Sequence, residues 1–155
     1  MMFANILVPF DKSKHALRAL EVAKGFAADD AGVKLHVVDV YPVASTPLAM
    51  GVEASYAIDT EAVDKRVANA LAREKAEAIE AIGDAFDGMP NPVEIDVVNA
   101  PAVADAIDDY AKEHGCDLIV MGARGLGVLR GMIGGVSYGV LRSTGIPVLV
   151  VKDVD

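Results

Sequence analysis

The run Asp117-Leu-Ile-Val-Met-Gly-Ala-Arg-Gly125 is an apolar segment that ends in glycines, and Gly134-Gly-Val-Ser137 follows after eight intervening residues. Eight of the chain's fourteen glycines lie between Gly122 and Gly145, in a segment with three arginines and no acidic residue. That segment is therefore cationic in a chain of net charge −9. Glycines let backbone N–H groups approach an anion, and a following helix adds its positive dipole end. The pattern predicts a phosphate-binding loop between a strand and a helix.

Two common nucleotide-binding motifs do not fit this loop. The spacing Gly125-Leu-Gly-Val-Leu-Arg-Gly131 has one residue more than the dinucleotide pattern G-x-G-x-x-G, and no acidic residue follows about 20 positions later to hold a ribose. A P-loop is excluded because the chain has no Gly-Lys-Ser or Gly-Lys-Thr. Two interpretations remain: a glycine-rich turn that packs a helix on a sheet, or a cradle for the phosphates of a mononucleotide.

Outward from this loop, short apolar runs alternate with amphipathic stretches. The predicted strands are Phe3–Val8, Lys34–Val40, Val93–Val98, Leu118–Met121 and Pro147–Val151, and the predicted helices are Lys14–Ala28, Ala62–Phe86, Ala102–His114 and Val136–Arg142. This alternation predicts an α/β fold in which residues 1–155 form a single domain, a doubly wound five-stranded parallel sheet with helices on both faces. The long connection Tyr41–Ile58 is rich in turn-forming residues.

Ligands of such sheets bind at the carboxyl ends of the strands, where the strand order reverses. Two loops are candidates on this rule, Pro9–Ser13 after the first strand and Gly122–Gly134 after the fourth. Asp11 lies in the first of these loops, and two roles remain open for it. Its carboxylate could cap the helix that starts near Ser13, or it could accept hydrogen bonds from an adenine or a ribose.

The composition limits the classes of partner. A net charge of −9 leaves no basic face for nucleic acid or for an anionic membrane surface. No apolar run approaches the ~20 residues that a spanning helix needs. The N-terminal residues lack a basic leader, and the single cysteine, Cys116, excludes an internal disulfide. We therefore expect a cytoplasmic protein that neither binds nucleic acid nor inserts into a membrane.

The remaining polar residues indicate no catalytic or metal site. His15, His36 and His114 have no metal-ligand spacing, so His15 and His114 are expected at the surface and His36 as a satisfied residue of the sheet. Ser137 lacks the context of a nucleophile elbow. The charged residues of the long helix, Glu74 among them, are typical of a solvated face with near-neighbour ion pairs.

Several segments together resemble the universal stress protein family, in order and over nearly the whole chain. They are Ile6-Leu-Val-Pro-Phe-Asp-Lys-Ser13, His36-Val-Val-Asp-Val40, Asp117-Leu-Ile-Val-Met-Gly122, Gly134-Gly-Val-Ser137 and Pro147-Val-Leu-Val-Val151. The resemblance implies a five-stranded parallel sheet in the order 3-2-1-4-5, and it implies ATP or AMP as the ligand, with Mg²⁺ as a possible companion ion.

The phosphate motif of the family's ATP-binding members is altered here. That motif is G-x-x-G, nine residues, then Gly followed by Ser or Thr. Gly122 and Gly125 match its first half, but only eight residues precede Gly134, and Gly135 stands where the hydroxyl residue is expected. Loss of one hydroxyl contact would weaken binding by roughly 1.5–3 kcal/mol without removing the backbone donors.

By the same resemblance, two groups of residues would line the nucleotide site. On the adenosine side these are Pro9, Phe10, Asp11 and Val40. On the phosphate side they are Met121, Gly122, Arg124, Gly125, Gly134, Gly135, Val136 and Ser137, with Arg124 placed to pair with a phosphate.

The leading hypothesis is a universal stress protein that binds an adenine nucleotide and acts as a regulatory module in the stress response. With no poised base or nucleophile, it is not expected to be an enzyme, although slow ATP hydrolysis stays open. A homodimer is expected, formed through the C-terminal strand. The alternative is a nucleotide-independent dimeric interaction protein of the same fold, in which the altered loop is only structural. An enzyme on this sheet is a third, weaker hypothesis, because fold does not imply chemistry.

Overall fold

The computed structural model describes residues 2–43, 60–123 and 134–152. Its elements are β1 (Asn5–Pro9), α1 (Lys14–Ala27), β2 (Lys34–Val40), α2 (Thr60–Ile82), β3 (Val93–Val98), α3 (Val103–Glu113), β4 (Leu118–Gly122), α4 (Gly135–Ser143) and β5 (Val148–Val151). All paired strands are parallel, and the sheet order is β3-β2-β1-β4-β5. The predicted α/β class, doubly wound sheet and strand order are confirmed.

The core forms one layer on each face of the sheet, because alternate side chains of a strand point to opposite faces. In β1, Ile6 and Val8 join the layer that also contains the buried residues of α1 and α2. Leu7 lies between them and joins the layer under α3 and α4. The central strands are covered on both faces, so they read as continuous apolar runs.

Two predicted boundaries differ from the structure for local reasons. The first strand begins at Asn5 rather than Phe3, where the backbone N–H groups of Ala4 and Asn5 donate to the Asp117 carboxylate at 2.8 and 3.0 Å. The second helix ends at Ile82 rather than Phe86, because Gly83 adopts a left-handed conformation with φ of 57°. That conformation ends a helix and suits glycine.

The long connection after β2 begins with two contacts to the end of β3. Tyr41 N–H donates to the Val98 carbonyl at 2.8 Å, and Val43 N–H donates to Asn99 Oδ1 at 2.9 Å. The rest of the predicted loop, residues 44–58, lies outside the described residues. Within the described ranges, no helix is both long and apolar enough to span a membrane.

Candidate functional site

A cavity of about 590 Å³ opens at the carboxyl ends of the strands, beside the point where the strand order reverses between β1 and β4. Its volume falls in the range of small-molecule and cofactor sites. The end of β1, the end of β4 and the start of α4 meet there, and residues of β2 and α3 complete the wall. Both candidate loops of the sequence therefore converge on one space.

The loop from β1 to α1 is held by short-range hydrogen bonds. Asp11 Oδ1 accepts from the Ser13 N–H at 3.0 Å, and Ser13 Oγ accepts from the Ala16 N–H at 3.1 Å. The helix cap is thus Ser13, and the capping role considered for Asp11 is wrong. Asp11 shapes the turn before the cap and lines the cavity.

Between these two residues, Lys12 has φ of 68°, a conformation uncommon outside glycine. Its ammonium pairs with Glu74 at 2.8 Å and with Glu77 at 3.0 Å, both on α2. Those hydrogen bonds raise the pKa of Lys12 above its ordinary value. The two ion pairs tie the turn beside the cavity to α2, and their energy offsets the cost of the Lys12 backbone conformation.

Glu74 is buried, so its predicted place on a solvated helix face is wrong. It lies against Asp39 of β2, whose side chain is on the α1–α2 side of the sheet, opposite Val38 and Val40. Burial and the Glu74 carboxylate raise the pKa of Asp39 to about 8. Burial alone would raise the pKa of Glu74, but hydrogen bonds from Asp39 and Lys12 lower it. The pair therefore holds a proton behind the cavity wall at neutral pH.

The start of α4 forms another wall. Gly134 is its N-cap and makes no side-chain cap bond, while its own N–H donates to the Ala123 carbonyl at 2.7 Å. The buried Ser137 hydroxyl donates to the Gly122 carbonyl at 2.7 Å, so its proton is committed to the backbone. The N–H groups of a helix's first turn have no partner inside the helix. The residues of this first turn, from Gly135 to Ser137, line the cavity.

Gly122 is required by packing. A Cβ atom at this position would lie 3.0 Å from the His15 Cβ and 3.0 Å from the His15 carbonyl oxygen. The close approach of α1 to the end of β4 therefore depends on glycine. At Gly135, by contrast, an added Cβ would meet no atom within 4 Å.

Most of the residues predicted from the sequence line this cavity. They are Pro9, Phe10, Asp11, Val40, Met121, Gly122, Gly134, Gly135, Val136 and Ser137. The other two, Arg124 and Gly125, lie outside the described residues. Sequence reasoning did not place five further lining residues at the site: Ala16, Val38, Pro42, Val103 and Ile107.

Two of the missed contacts had a sequence signal. Val38 shares a strand face with Val40 by the two-residue period of β2, and Val103 lies one helical turn before Ile107 on the apolar face of α3. Which helix covers the cavity depends on the geometry of the crossover connections. The periodicity of a single element does not specify that geometry.

Comparison with known proteins agrees with this architecture. The sequence profile of the universal stress protein family matches residues 2–152. The chain belongs to the universal stress protein family. A Thermus aquaticus relative, the universal stress protein in the QAH/OAS sulfhydrylase 3′ region, is 37% identical over 153 residues, which cover 97% of this chain and 100% of the relative. Universal stress protein G of Escherichia coli O157:H7 is 28% identical over 154 residues, 97% of this chain and 100% of the relative.

Solved structures of this family share the fold. A hypothetical protein whose biochemical function was assigned from its structure superposes with a TM-score of 0.78 at 25% identity, covering 100% of this chain and 99% of its own. A universal stress protein in complex with cAMP has a TM-score of 0.58 at 24% identity, covering 98% of each chain. The Archaeoglobus fulgidus universal stress protein in complex with dAMP has a TM-score of 0.61 at 23% identity, covering 98% and 100%.

Proposed function

We propose that this universal stress protein binds an adenine nucleotide, ATP or AMP, in the cavity between β1, β4 and α4. One observation carries the proposal: an apolar wall and the N-terminus of a helix face the same 590 Å³ space at the point where the strand order reverses. A purine base packs against an apolar wall, and a phosphate binds at the N-terminus of a helix.

The apolar wall suits a purine base. Aliphatic groups surround the cavity. They come from Val38 and Val40 of β2, from Val103 and Ile107 of α3, and from Met121 of β4. Asp11 adds a carboxylate at the edge of this wall. A carboxylate accepts hydrogen bonds, and the ribose hydroxyls and the adenine amino group can donate them.

The phosphate side is the first turn of α4. Backbone N–H groups from Gly135 to Ser137 stand without intrahelical partners, and the helix dipole adds partial positive charge there. Ser137 gives its proton to the Gly122 carbonyl, so its oxygen offers lone pairs rather than a donor. Such an oxygen suits a Mg²⁺ ion that accompanies ATP better than it suits a phosphate oxygen.

Relatives support this ligand class. Two universal stress proteins of the same fold are described in complexes with cAMP and with dAMP, which share an adenine base and a single phosphate with AMP. We propose that the cavity of this chain accommodates the same base and a phosphate.

We propose a binding and regulatory role in the cytoplasmic stress response rather than catalysis. Among the described residues that line the cavity, Asp11 is the single ionisable side chain. The Ser137 hydroxyl is directed at a backbone carbonyl and has no base beside it among these lining residues. Efficient ATP hydrolysis needs a group that positions or activates water, and in the described part of this wall Asp11, which already accepts from the Ser13 N–H, is the one ionisable candidate.

Calorimetric titration of the purified protein with AMP, ADP and ATP, with and without Mg²⁺, tests the proposal. Saturable 1:1 binding and a rise in melting temperature are expected, since a ligand that binds only the folded state stabilises it. GTP and CTP serve as matched controls for the base. Absence of heat and of thermal shift with millimolar adenine nucleotides would instead favour the nucleotide-independent interaction protein. Mass spectrometry of the denatured protein reports any nucleotide that copurifies.

A further inference from the structure

A second group of polar side chains lies on the face of β2 and β3 that α3 covers, and none of its members lines the nucleotide cavity. Glu94 and Asp96 of β3 share one strand face, and the parallel register places His36 of β2 beside Glu94. The α3 helix covers this face and brings Tyr110 and His114, one turn apart, over the two carboxylates. Their linear spacing gives no motif, because the grouping arises from strand register and helix crossover.

The geometry is compact. One ligand atom each from Glu94, Asp96 and His114 lie within 4.8 Å of one another. In a tetrahedral zinc site with bonds of about 2.1 Å, the ligand atoms lie roughly 3.4 Å apart. Side-chain rotations that move each ligand atom by about an ångström would therefore bring these atoms to bonding distance from one ion.

In its neutral form, His114 has one ring nitrogen available for a ligand. Its Nδ1–H donates to the Tyr110 carbonyl at 2.9 Å, so the unprotonated nitrogen is Nε2. Metal-binding histidines commonly donate their other ring N–H to a backbone carbonyl, which fixes the tautomer and the ring. The ring is held further by stacking on Tyr110, with 3.8 Å between ring centroids.

His36 supplies the independent observation. It is 2% exposed, its Nε2–H donates to Asn5 Oδ1 at 3.2 Å, and its Nδ1 has no hydrogen-bond partner in the described structure. That nitrogen lies 3.8 Å from Glu94 Oε2. A buried imidazole nitrogen that lacks a hydrogen-bond partner is available as a metal ligand.

The charges leave room for a dication. Glu94 and Asp96 carry two negative charges, and Lys34 offsets one through an ion pair of 2.7 Å with Glu94 Oε2. The Tyr110 hydroxyl donates to Asp96 Oδ2 and orients this carboxylate within the group. Lys34 competes directly with any cation for Glu94.

We propose that Glu94, Asp96 and His114, with His36 as the fourth donor, form a binding site for a divalent transition-metal ion of the zinc class. Two imidazoles and two carboxylates match the nitrogen and oxygen ligands that zinc accepts. A bound ion would join the edge strand β3 to the C-terminal end of α3. None of these four residues lines the nucleotide cavity, so this proposal stands without the proposed function.

Calorimetric titration of the tag-free, chelator-treated protein with ZnCl₂, in a non-coordinating buffer without nucleotide, tests the site. We expect 1:1 binding and a higher melting temperature. His114→Gln and Asp96→Asn should each weaken affinity by at least about tenfold. His15→Gln and Asp109→Asn remove the same groups outside the cluster and should bind as the unaltered protein does. Lys34→Met should tighten binding, because it removes the competing ammonium.

A merely structural cluster would behave differently. Absence of saturable zinc binding would overturn the proposal, as would zinc affinity that is unchanged in both folded cluster variants. Circular dichroism of each variant establishes folding, and if one variant unfolds, the other decides. Cobalt(II) gives a second measurement, since a tetrahedral site produces intense visible absorption that His114→Gln should remove.

Discussion

Asp11 and Asp30 hold their loops by the same contact, which makes them a matched pair. Asp11 Oδ1 accepts from the Ser13 N–H at 3.0 Å, and Asp30 Oδ1 accepts from the Gly32 N–H at 2.8 Å. Asp11 lines the cavity, whereas Asp30 is not among its lining residues. An asparagine keeps the amide oxygen that these turns need but loses the charge.

Asp11→Asn should therefore leave the melting temperature nearly unchanged and weaken adenine-nucleotide affinity by about tenfold, the effect of one charged hydrogen bond. Calorimetry measures the affinity. Asp30→Asn should preserve both quantities. Equal nucleotide affinity in Asp11→Asn and the unaltered protein would restrict Asp11 to shaping the turn.

Asp39 makes stability fall as pH rises across the interval between its unfolded and folded pKa values. Its pKa is raised from 3.8 to about 8 by burial and by Glu74. A group whose folded pKa is raised contributes stability that is lost as pH rises through that pKa. His36, with its lowered pKa, acts in the opposite sense but only below 6.5. The free energy of unfolding should thus fall between pH 6.5 and 8, by at most about 1.4 kcal/mol per pH unit.

Asp39→Asn should flatten this slope, because an amide can donate to Glu74 without an ionisable proton. Urea unfolding at pH 6.5, 7, 7.5 and 8 gives the free energies. Asp87→Asn, on an exposed turn, should keep the original slope. A slope that survives in Asp39→Asn would assign the titration to another group.

At the scale of the elements, periodicity predicted all nine helices and strands of the described residues, with shifts of a few residues at some ends. Pattern arguments worked because the helices have apolar residues at helical spacing and the buried strands are short, continuous apolar runs. They failed for Glu74, since the partners that bury it, Lys12 and Asp39, are distant in sequence. They failed likewise for His114, which α3 carries onto β3.

The two glycines that flank the cavity should respond differently to a side chain. Gly122→Ala places a Cβ 3.0 Å from the His15 backbone and should destabilise the fold by about 1–3 kcal/mol. Gly135→Ser meets no atom within 4 Å and should hold or slightly raise stability, because serine is the better helix residue. Thermal unfolding compares the two.

Gly135→Ser also returns a hydroxyl to the place where ATP-binding relatives are expected to have one. Nucleotide affinity should stay constant or increase, whereas a tenfold loss would show that the loop is aligned incorrectly. The sequence alone could not decide how this loop aligns with the family motif, since eight residues rather than nine separate Gly125 from Gly134.

For the whole molecule, the two edges of the sheet contrast. Edge strand β3 carries Glu94 and Asp96, and charges on an edge discourage pairing with another chain. Edge strand β5 consists of Val148-Leu-Val-Val151, all half-buried, and among the described residues it pairs with β4 alone. An apolar edge of this kind is expected to be covered, and a two-fold contact with a second copy covers it.

The hydrogen bonds of β5 distinguish its inner from its outer groups. The Pro147 and Val151 carbonyls accept from Ile119 and Ala123 of the β4 segment, each at 2.9 Å. Since alternate residues of a parallel strand bond to opposite neighbours, Leu149 faces β4 and Val150 presents its N–H and carbonyl to the open edge. We expect a homodimer of twice 16.2 kDa that pairs through this edge.

Val150→Pro should remove an outward donor and release folded monomers, whereas Leu149→Pro removes a donor of the β4 ladder and should unfold the chain. Light scattering at tens of micromolar gives the mass, and circular dichroism gives the folded state. A monomeric unaltered protein at that concentration would contradict the predicted dimer. A dimer that persists in Val150→Pro would move the interface away from β5, because this substitution leaves the rest of the surface intact.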